Sequence, residues 1–228
     1  MTDIQWVNDK KGCIKIFKLP NMPQFTEYAL GGDTAGETLG DFFSSDIVDA
    51  RSLEQVATLH MQTDEDLYAK QMYCLGKYYK DALIGIEANF DSYPIMELQR
   101  LGYPNQYARE AQDTYTGKKE KRFGFKTTSL TRPTAISRLI EVVREHCDTI
   151  NDKGSLEELL TIVRNEKGRI EAPSGGHDDR MMSLAIAHQI REQVVFINEP
   201  IEVSPQYHFN VEKHFDIQND YGEKITIV

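Results

Sequence analysis

Four acidic residues stand out among the 36 in this chain because of where they lie relative to the predicted elements. Asp33 directly follows the first predicted strand, and Glu87 ends the fourth, immediately after the apolar run Leu83 to Ile86. Asp178 and Asp179 begin a late helix behind two glycines, in a peptide too polar for a core. A carboxylate at the end of a buried strand is costly unless something pairs with it. As a set, the four acids predict a site for metal ions.

Carboxylate oxygens are the hard ligands that Mg²⁺ or Mn²⁺ prefers. Two such ions, about 4 Å apart, clamp the attacking water and the leaving 3′ oxygen of a phosphodiester. We expect Asp33 to touch both ions. Without metal, repulsion among the four carboxylates should raise some of their pKa values. The chemistry predicted is metal-dependent cleavage of a nucleic acid.

Each acid taken singly has a simpler alternative. Asp33 could be a turn residue, Glu87 could pair with a lysine, and Asp178 could only cap its helix. The functional interpretation depends on the elements bringing all four together.

Short apolar runs alternate with amphipathic stretches along the chain, which is typical of a mixed α/β domain. The first half predicts three strands in a meander, a helix capped by Asp64, and a fourth strand. The strands run from Phe25 to Leu30, Phe42 to Asp49, Gln55 to His60 and Ala82 to Ile86, and the helix runs from Glu65 to Tyr79. This is the order in which a ribonuclease H-like domain begins, and there the first and fourth strands end side by side.

The second half predicts further helices and one hairpin. We expect a short helix from Tyr93 to Leu101, an irregular polar excursion from Arg109 to Lys126, a helix from Thr131 to near His146, a hairpin of Leu159 to Arg164 with Arg169 to Ala172, and a helix from Asp178 to Gln193. The predicted fold is a ribonuclease H-like mixed sheet flanked by helices, with the hairpin added, over residues 1–198. Residues 199–228 are predicted to be a C-terminal segment that packs on this domain or binds a partner.

The formal net charge is −10, which argues against a protein that grips a long stretch of phosphate backbone unaided. One basic cluster opposes this balance and is a candidate DNA-binding surface, with a solvated loop as the equal alternative. Its members are Lys118, Lys119, Lys121, Arg122 and Lys126, followed by Arg132.

Three separated cysteines without a CxxC pair predict neither disulfides nor a zinc site. No apolar run approaches the roughly 18 residues of a membrane span, and the N-terminus lacks a signal peptide. We therefore expect a soluble cytoplasmic protein that is not secreted.

Several short motifs, in this order over roughly residues 25 to 195, resemble the C-terminal nuclease domain of the large terminase subunit of tailed bacteriophages. They are Gly31 to Thr38 (GGDTAGET), Gly40 to Ser44 (GDFFS), Ile86 to Asn89 (IEAN), Phe123 to Thr128 (FGFKTT), Arg132 to Ile136 (RPTAI) and Gly176 to Ala185 (GHDDRMMSLA). Each motif is weak alone, but their conjunction is specific.

The resemblance implies a nuclease that cuts concatemeric viral double-stranded DNA during packaging, in the host cytoplasm, with low sequence specificity. Carried over by position, its acids are Asp33, Glu87 and the Asp178–Asp179 pair, of which we expect Asp178 to be the primary ligand and Asp179 to lie near the second ion. His177 could hold a ligand or contact the phosphate, or be an exposed structural histidine. Implied partners are an N-terminal ATPase motor, the portal and the small terminase subunit. The motor's GxxxxGK[ST] loop is missing here, so we expect an isolated domain.

Three alternatives stay open at this point. A resolvase of the same fold would cut branched DNA as a dimer. An actin-like ATPase would use the glycine-rich Asp33 to Thr38 segment for phosphate, but it needs a second such loop. A structural module that kept the fold without catalysis is disfavoured by acids at all three stations.

Overall fold

The computed structural model describes residues 9–20, 27–34, 42–89, 92–112, 119–165, 168–173, 176–194, 215–218 and 224–227. The chain divides into two compact units, Cys13–Phe196 and a smaller one of Met1–Gly12 with Ile197–Val228. Two antiparallel strands are described in the smaller unit, Phe215–Gln218 and Lys224–Ile227. Within the described ranges, no helix is long and apolar enough to cross a membrane.

The larger unit is a mixed α/β structure, as predicted. Its strands are β1 (Ile14–Ile16), β2 (Tyr28–Asp33), β3 (Phe43–Asp49), β4 (Gln55–Met61), β5 (Leu83–Ile86), β6 (Ala108–Gln112), β7 (Lys119–Phe123), β8 (Val163–Arg164) and β9 (Ile170–Glu171). Its helices are α1 (Glu65–Tyr78), α2 (Tyr93–Arg100), α3 (Thr131–Glu145), α4 (Lys153–Thr161) and α5 (Asp179–Ile190). Asp64 caps α1 by accepting a hydrogen bond from the Leu67 amide at 2.8 Å.

The central sheet has the order β1-β4-β3-β2-β5. Strands β2, β3 and β4 form the predicted antiparallel meander, and β5 pairs with β2 in parallel. The short edge strand β1 was not predicted. The predicted adjacency of the first and fourth strands of the motif is confirmed, because β5 lies directly beside β2.

Strand β2 is buried along its whole length, between helices on both faces of the sheet. Two glycines allow this close packing. A Cβ at Gly31 would lie 2.3 Å from the Ala187 amide nitrogen of α5, whereas one at Gly32 would lie 2.4 Å from the Tyr68 hydroxyl of α1. Successive residues of a strand face opposite sides, so α5 covers one face and α1 the other. On the α5 side, α3 packs over the core with buried Ile136 and Leu139.

The predicted irregular excursion from Arg109 to Lys126 is wrong, because β6 and β7 form an antiparallel hairpin there. Both strands are rich in charged residues, which is why the sequence predicted a loop, and Lys119 Nζ of β7 lies 3.0 Å from Glu110 Oε2 of β6. Arg109 donates to the carbonyl oxygens of Phe123 and Gly124 at the base of the hairpin. Exposed strands of this kind carry no apolar alternation for sequence reading to detect.

The predicted hairpin arm from Leu159 to Arg164 is also partly wrong. Leu159 to Thr161 is the last turn of α4, which Asp152 caps by accepting from the Ser155 amide at 2.9 Å. The hairpin is shortened to β8 and β9. Helix α5 ends at Ile190 and is followed by a 3₁₀ turn, Arg191–Gln193. The predicted start of the first strand at Phe25 lies outside the described residues, and that strand continues through both glycines to Asp33.

Candidate metal centre

Two of the four predicted acids are neighbours at the carboxyl ends of adjacent parallel strands. Gly32 of β2 is in register with Ile86 of β5, and the Glu87 amide donates to the Gly32 carbonyl oxygen at 2.8 Å. The next residues, Asp33 and Glu87, are therefore side by side, and they are only 7% and 5% exposed. The structure brings this pair together as the sequence predicted.

The environment of Asp33 strongly disfavours its charged form. Burial is the largest cause, followed by a hydrogen bond with Glu87 and the charge of Glu87, and the charges of Asp179 and Asp178 add to it. The pKa of Asp33 is consequently raised well above its usual range. A divalent cation beside Asp33 would favour the charged form that its surroundings disfavour. The predicted direction of the pKa shift agrees for Asp33, although burial and not repulsion among the acids is the largest cause.

Helix α5 presents Asp179 on the face that packs against the sheet. Ser183 and Ala187 of this face approach Gly31 so closely that a Cβ there would lie 2.3 Å from the Ser183 carbonyl oxygen. Ser183 Oγ also lies 3.1 Å from Ser44 Oγ, and Ser44 is the β3 register partner of Asp33. Asp179 lies one helical turn before Ser183, so it occupies the same face nearer the strand ends. This direction explains why its charge acts on Asp33.

Asp178 is held differently. Its Oδ2 lies 2.5 Å from Arg132 Nη2 at the start of α3, where the arginine side chain is only 12% exposed. Arg132 follows the basic cluster in the sequence, but in the structure it lies beside Asp178. His177 is exposed, with Nδ1 3.7 Å from Asp179 Oδ2 and its ring edge-on to Phe42.

A further acid, Glu158 of α4, was missed by sequence analysis. Its Oε1 accepts the Met181 amide of α5 at 2.7 Å. Burial, together with the charges of Asp179 and Asp178, raises the pKa of Glu158 to about 7. Its segment was predicted to precede or enter a strand, so no signal connected it with the start of α5.

The basic cluster lies mostly on β7, the second strand of the hairpin. Lys119, Lys121 and Arg122 belong to β7 and are exposed, and Lys126 follows Phe125, which pairs with Glu87. Lys119 is paired with Glu110 and Arg122 with Glu120, at 3.0 and 3.5 Å. Lys118 lies outside the described residues.

The donor set at this centre fits a hard divalent cation, because it consists of carboxylate oxygens in surroundings that raise the pKa of Asp33. Within the described ranges, no three acidic, histidine or cysteine side chains are gathered closely enough to hold an ion in their present rotamers. The geometry places the carboxyl groups of Asp33 and Glu87 side by side, and Asp179 lies on the helix face that packs against the same sheet.

The fold is shared with nucleases of bacteriophage large terminases. The magnesium-bound structure of the large terminase nuclease from thermophilic phage G20c has a TM-score of 0.61 at 18% identity, covering 79% of this chain and 89% of that one. The cobalt-bound form matches equally well. The large terminase nuclease domain of Thermus phage P74-26 has a TM-score of 0.59 at 20% identity, covering 79% and 86%. The predicted ribonuclease H-like fold is thereby confirmed. No protein-family model matches the sequence, and no curated protein is significantly similar to it.

Proposed function

We propose that this chain is a divalent-metal-dependent endonuclease that cuts double-stranded DNA during the packaging of a phage genome. The observation that carries the proposal is the buried pair of Asp33 and Glu87 at adjacent strand ends, with Asp179 facing it from α5. The fold it shares with phage large terminase nucleases supports the same role. Binding of magnesium, cobalt and zinc by the G20c nuclease supports dependence on a divalent metal.

Each acid has a role in this proposal. Asp33 and Glu87 would hold Mg²⁺ or Mn²⁺, two ions in all, with Asp33 as the candidate ligand of both. The sequence favoured Asp178 as the primary ligand of the α5 pair, but its ion pair with Arg132 and the inward face of Asp179 favour the reverse order. Bound metal would supply an activated water and charge stabilisation for the leaving 3′ oxygen. His177, which is exposed beside Asp179, is an auxiliary residue that contacts the phosphate.

The wider assembly follows from the same proposal. The nuclease domain predicted over residues 1–198 includes the larger compact unit, Cys13–Phe196, and residues 199–228 stay a predicted C-terminal segment. An ATPase motor, the portal and the small terminase subunit bring DNA to the nuclease in the host cytoplasm. Lys119, Lys121, Arg122 and Lys126, with Lys118, contact the DNA backbone.

Cleavage of supercoiled plasmid tests the proposal. Wild-type protein should nick and then degrade the plasmid with Mn²⁺ or Mg²⁺ and stop when EDTA is added. Asp33→Ala should spare the plasmid, and Glu87→Gln, which keeps the shape but removes the charge, should do the same. Cleavage by clean Asp33→Ala protein would overturn the assignment. A cruciform plasmid cut in strong preference to a linear one would instead indicate a resolvase.

A further inference from the structure

The start of α5, which carries Asp178 and Asp179, is not fixed by a capping hydrogen bond of its own. Asp178 occupies the N-cap position with φ −127° and ψ 18°, and its side chain makes no capping hydrogen bond. Ser183 and Ala187, one and two turns later, pack against the sheet and fix how close α5 lies to it. The direction of Asp179 must therefore be fixed by contacts that other elements make with its neighbours.

Arg180, the residue after Asp179, makes such a contact in the protein interior. Its Nη1 lies 3.0 Å from Oδ2 of Asp152, and the two side chains are 16% and 1% exposed. The same Oδ2 accepts the Ser155 amide, and the other oxygen, Oδ1, accepts Lys15 Nζ at 2.8 Å. Burial alone would raise the pKa of Asp152, but the hydrogen bonds from Lys15 and Ser155 and the charge of Arg180 bring it below its usual range. Asp152 is therefore an anionic anchor for Arg180.

The anchor is itself tied to the sheet beneath α5. The Asp152 amide donates to Gln55 Oε1 of β4 at 2.7 Å, and Gln55 Nε2 donates to Asp46 Oδ1 of β3 at 2.6 Å. The other oxygen of Asp46 accepts Ser183 Oγ at 2.5 Å, which returns the network to α5. Two α5 residues one turn apart are thus fixed to the sheet through buried partners, and a fully partnered polar network of this kind specifies a single arrangement.

We infer that Arg180 and Asp152 are positioning residues that hold Asp179 in reach of the Asp33–Glu87 pair. The inference rests on the proposed metal-dependent function, which it deepens. Neither residue touches the ion. Both act indirectly, because they fix the helical turn between Ser183, which contacts the sheet, and the carboxylate of Asp179. Groups that hydrogen-bond behind metal ligands in other proteins act in the same way.

Calorimetric titration of the full chain with Mn²⁺ tests this inference. Arg180→Met should weaken Mn²⁺ binding roughly 10- to 100-fold, the range measured when groups behind metal ligands are removed. Arg180→Lys, which can still reach Asp152, should recover most of the affinity. Lys153→Met is the matched control, because it removes an exposed ion pair with Glu157 on the same α4 and leaves the contacts of Asp152 with Arg180, Ser155 and Lys15 intact. It should bind Mn²⁺ as the wild type does.

Thermal unfolding of the metal-free variants separates an effect on stability from an effect on metal binding. Mn²⁺ binding is then measured at a temperature where every variant is folded. If Arg180→Met does not fold, Asp152→Asn replaces it and should show an intermediate loss of affinity, whereas Arg180→Lys should still keep most of the affinity. Wild-type affinity in all folded Arg180 and Asp152 variants would overturn the positioning role alone. A wild-type protein that binds no Mn²⁺ would overturn the proposed function and this inference with it.

Discussion

A carboxyl group buried among other acids destabilises a fold, and Asp33 lies within the field of Glu87, Asp178 and Asp179. Asp33→Asn replaces a buried ionisable group with a neutral one of the same shape, so the metal-free protein should become more stable. Unfolding temperature should rise by about 2 to 4 °C for each kcal/mol gained. The same variant should lose the stabilisation that Mn²⁺ gives the wild type. Calorimetric scans with and without Mn²⁺ measure both effects.

The control for this prediction is Asp148→Asn, at an exposed position after α3. It should change neither the metal-free unfolding temperature nor the Mn²⁺ response. A metal-free Asp33→Asn protein less stable than the wild type would show that the carboxyl group of Asp33 has a structural role that the proposal does not include.

His188 of α5 gives a second prediction for a single residue. It is fully buried, and neither ring nitrogen has a hydrogen-bond partner within the described part of the chain. Burial, with the charges of Arg191 and Arg138, lowers its pKa from 6.5 to about 3. Between these values the unfolded chain binds a proton and the folded protein does not, so stability falls as the pH drops from about 6.5 toward 3. His188→Leu should reduce this slope by up to about 1.4 kcal/mol per pH unit.

Chemical denaturation at a series of pH values measures that slope, and Asp46 offers a check of sign. Burial raises the pKa of Asp46 to about 6, so the folded protein binds its proton first as pH falls. Between about pH 4 and 6, Asp46 therefore stabilises the folded protein as the pH falls, whereas His188 destabilises it. Asp46→Asn should make the stability fall more steeply with decreasing pH. His60, whose pKa is lowered to about 4 chiefly by burial, acts in the same direction as His188. Equal slopes in wild type and His188→Leu would contradict the prediction.

At the level of elements, the contact between β2 and α5 sets the depth of the site. Gly31→Ala would place a methyl group 2.3 Å from two backbone atoms of α5, which cannot rotate away. We expect a loss of about 1 to 3 kcal/mol from overpacking, together with weaker Mn²⁺ binding because Asp179 moves with the helix. Denaturation and calorimetric titration of the same preparation measure both.

Gly32→Ala is the comparison for that variant, since its new methyl group meets the ends of the Tyr68 and Met72 side chains of α1. It should cost stability and leave Mn²⁺ affinity much less affected. A Gly31→Ala protein with wild-type affinity would mean that the position of α5 does not control the metal station.

The elements that sequence reasoning identified are those with a local signal. The meander and β5 are apolar runs, α1 carries the Asp64 cap, and both α1 and α3 carry apolar stripes. Helix α4 was missed because its apolar residues near Leu159 resemble a strand, and only the Asp152 cap distinguishes them. The exposed hairpin of β6 and β7 was missed because cross-strand charge pairing has no signature along the chain.

The same limit applies to the site. Asp33 and Glu87 were predictable because each ends a buried strand, which ties the residue to a place in the fold. Arg132, Glu158 and Asp152 contact α5 or its N-cap from other elements, and Arg132 and Asp178 are 46 positions apart in the chain. Such contacts depend on how helices pack on the sheet, and no spacing in one sequence encodes them.

For the molecule as a whole, the formal net charge of −10 opposes the approach of DNA. The exposed lysines Lys121 of β7 and Lys126 after Phe125 can offset it near the candidate metal centre, since Phe125 pairs with Glu87. Lysine contacts with phosphates release condensed counterions, so their number can be read from the salt dependence of binding.

The double variant Lys121→Glu with Lys126→Glu should weaken binding of a short duplex, measured by fluorescence anisotropy in EDTA so that no cleavage occurs. If each lysine neutralises one phosphate, the slope of log Kd against log salt should fall by about 2, since each contact contributes about 0.9. Arg144→Glu makes the same kind of charge change at an exposed position on α3 and is the control for net charge. A slope unchanged in the double variant, or one changed as much per residue by Arg144→Glu, would show that net charge and not this surface governs the encounter with DNA.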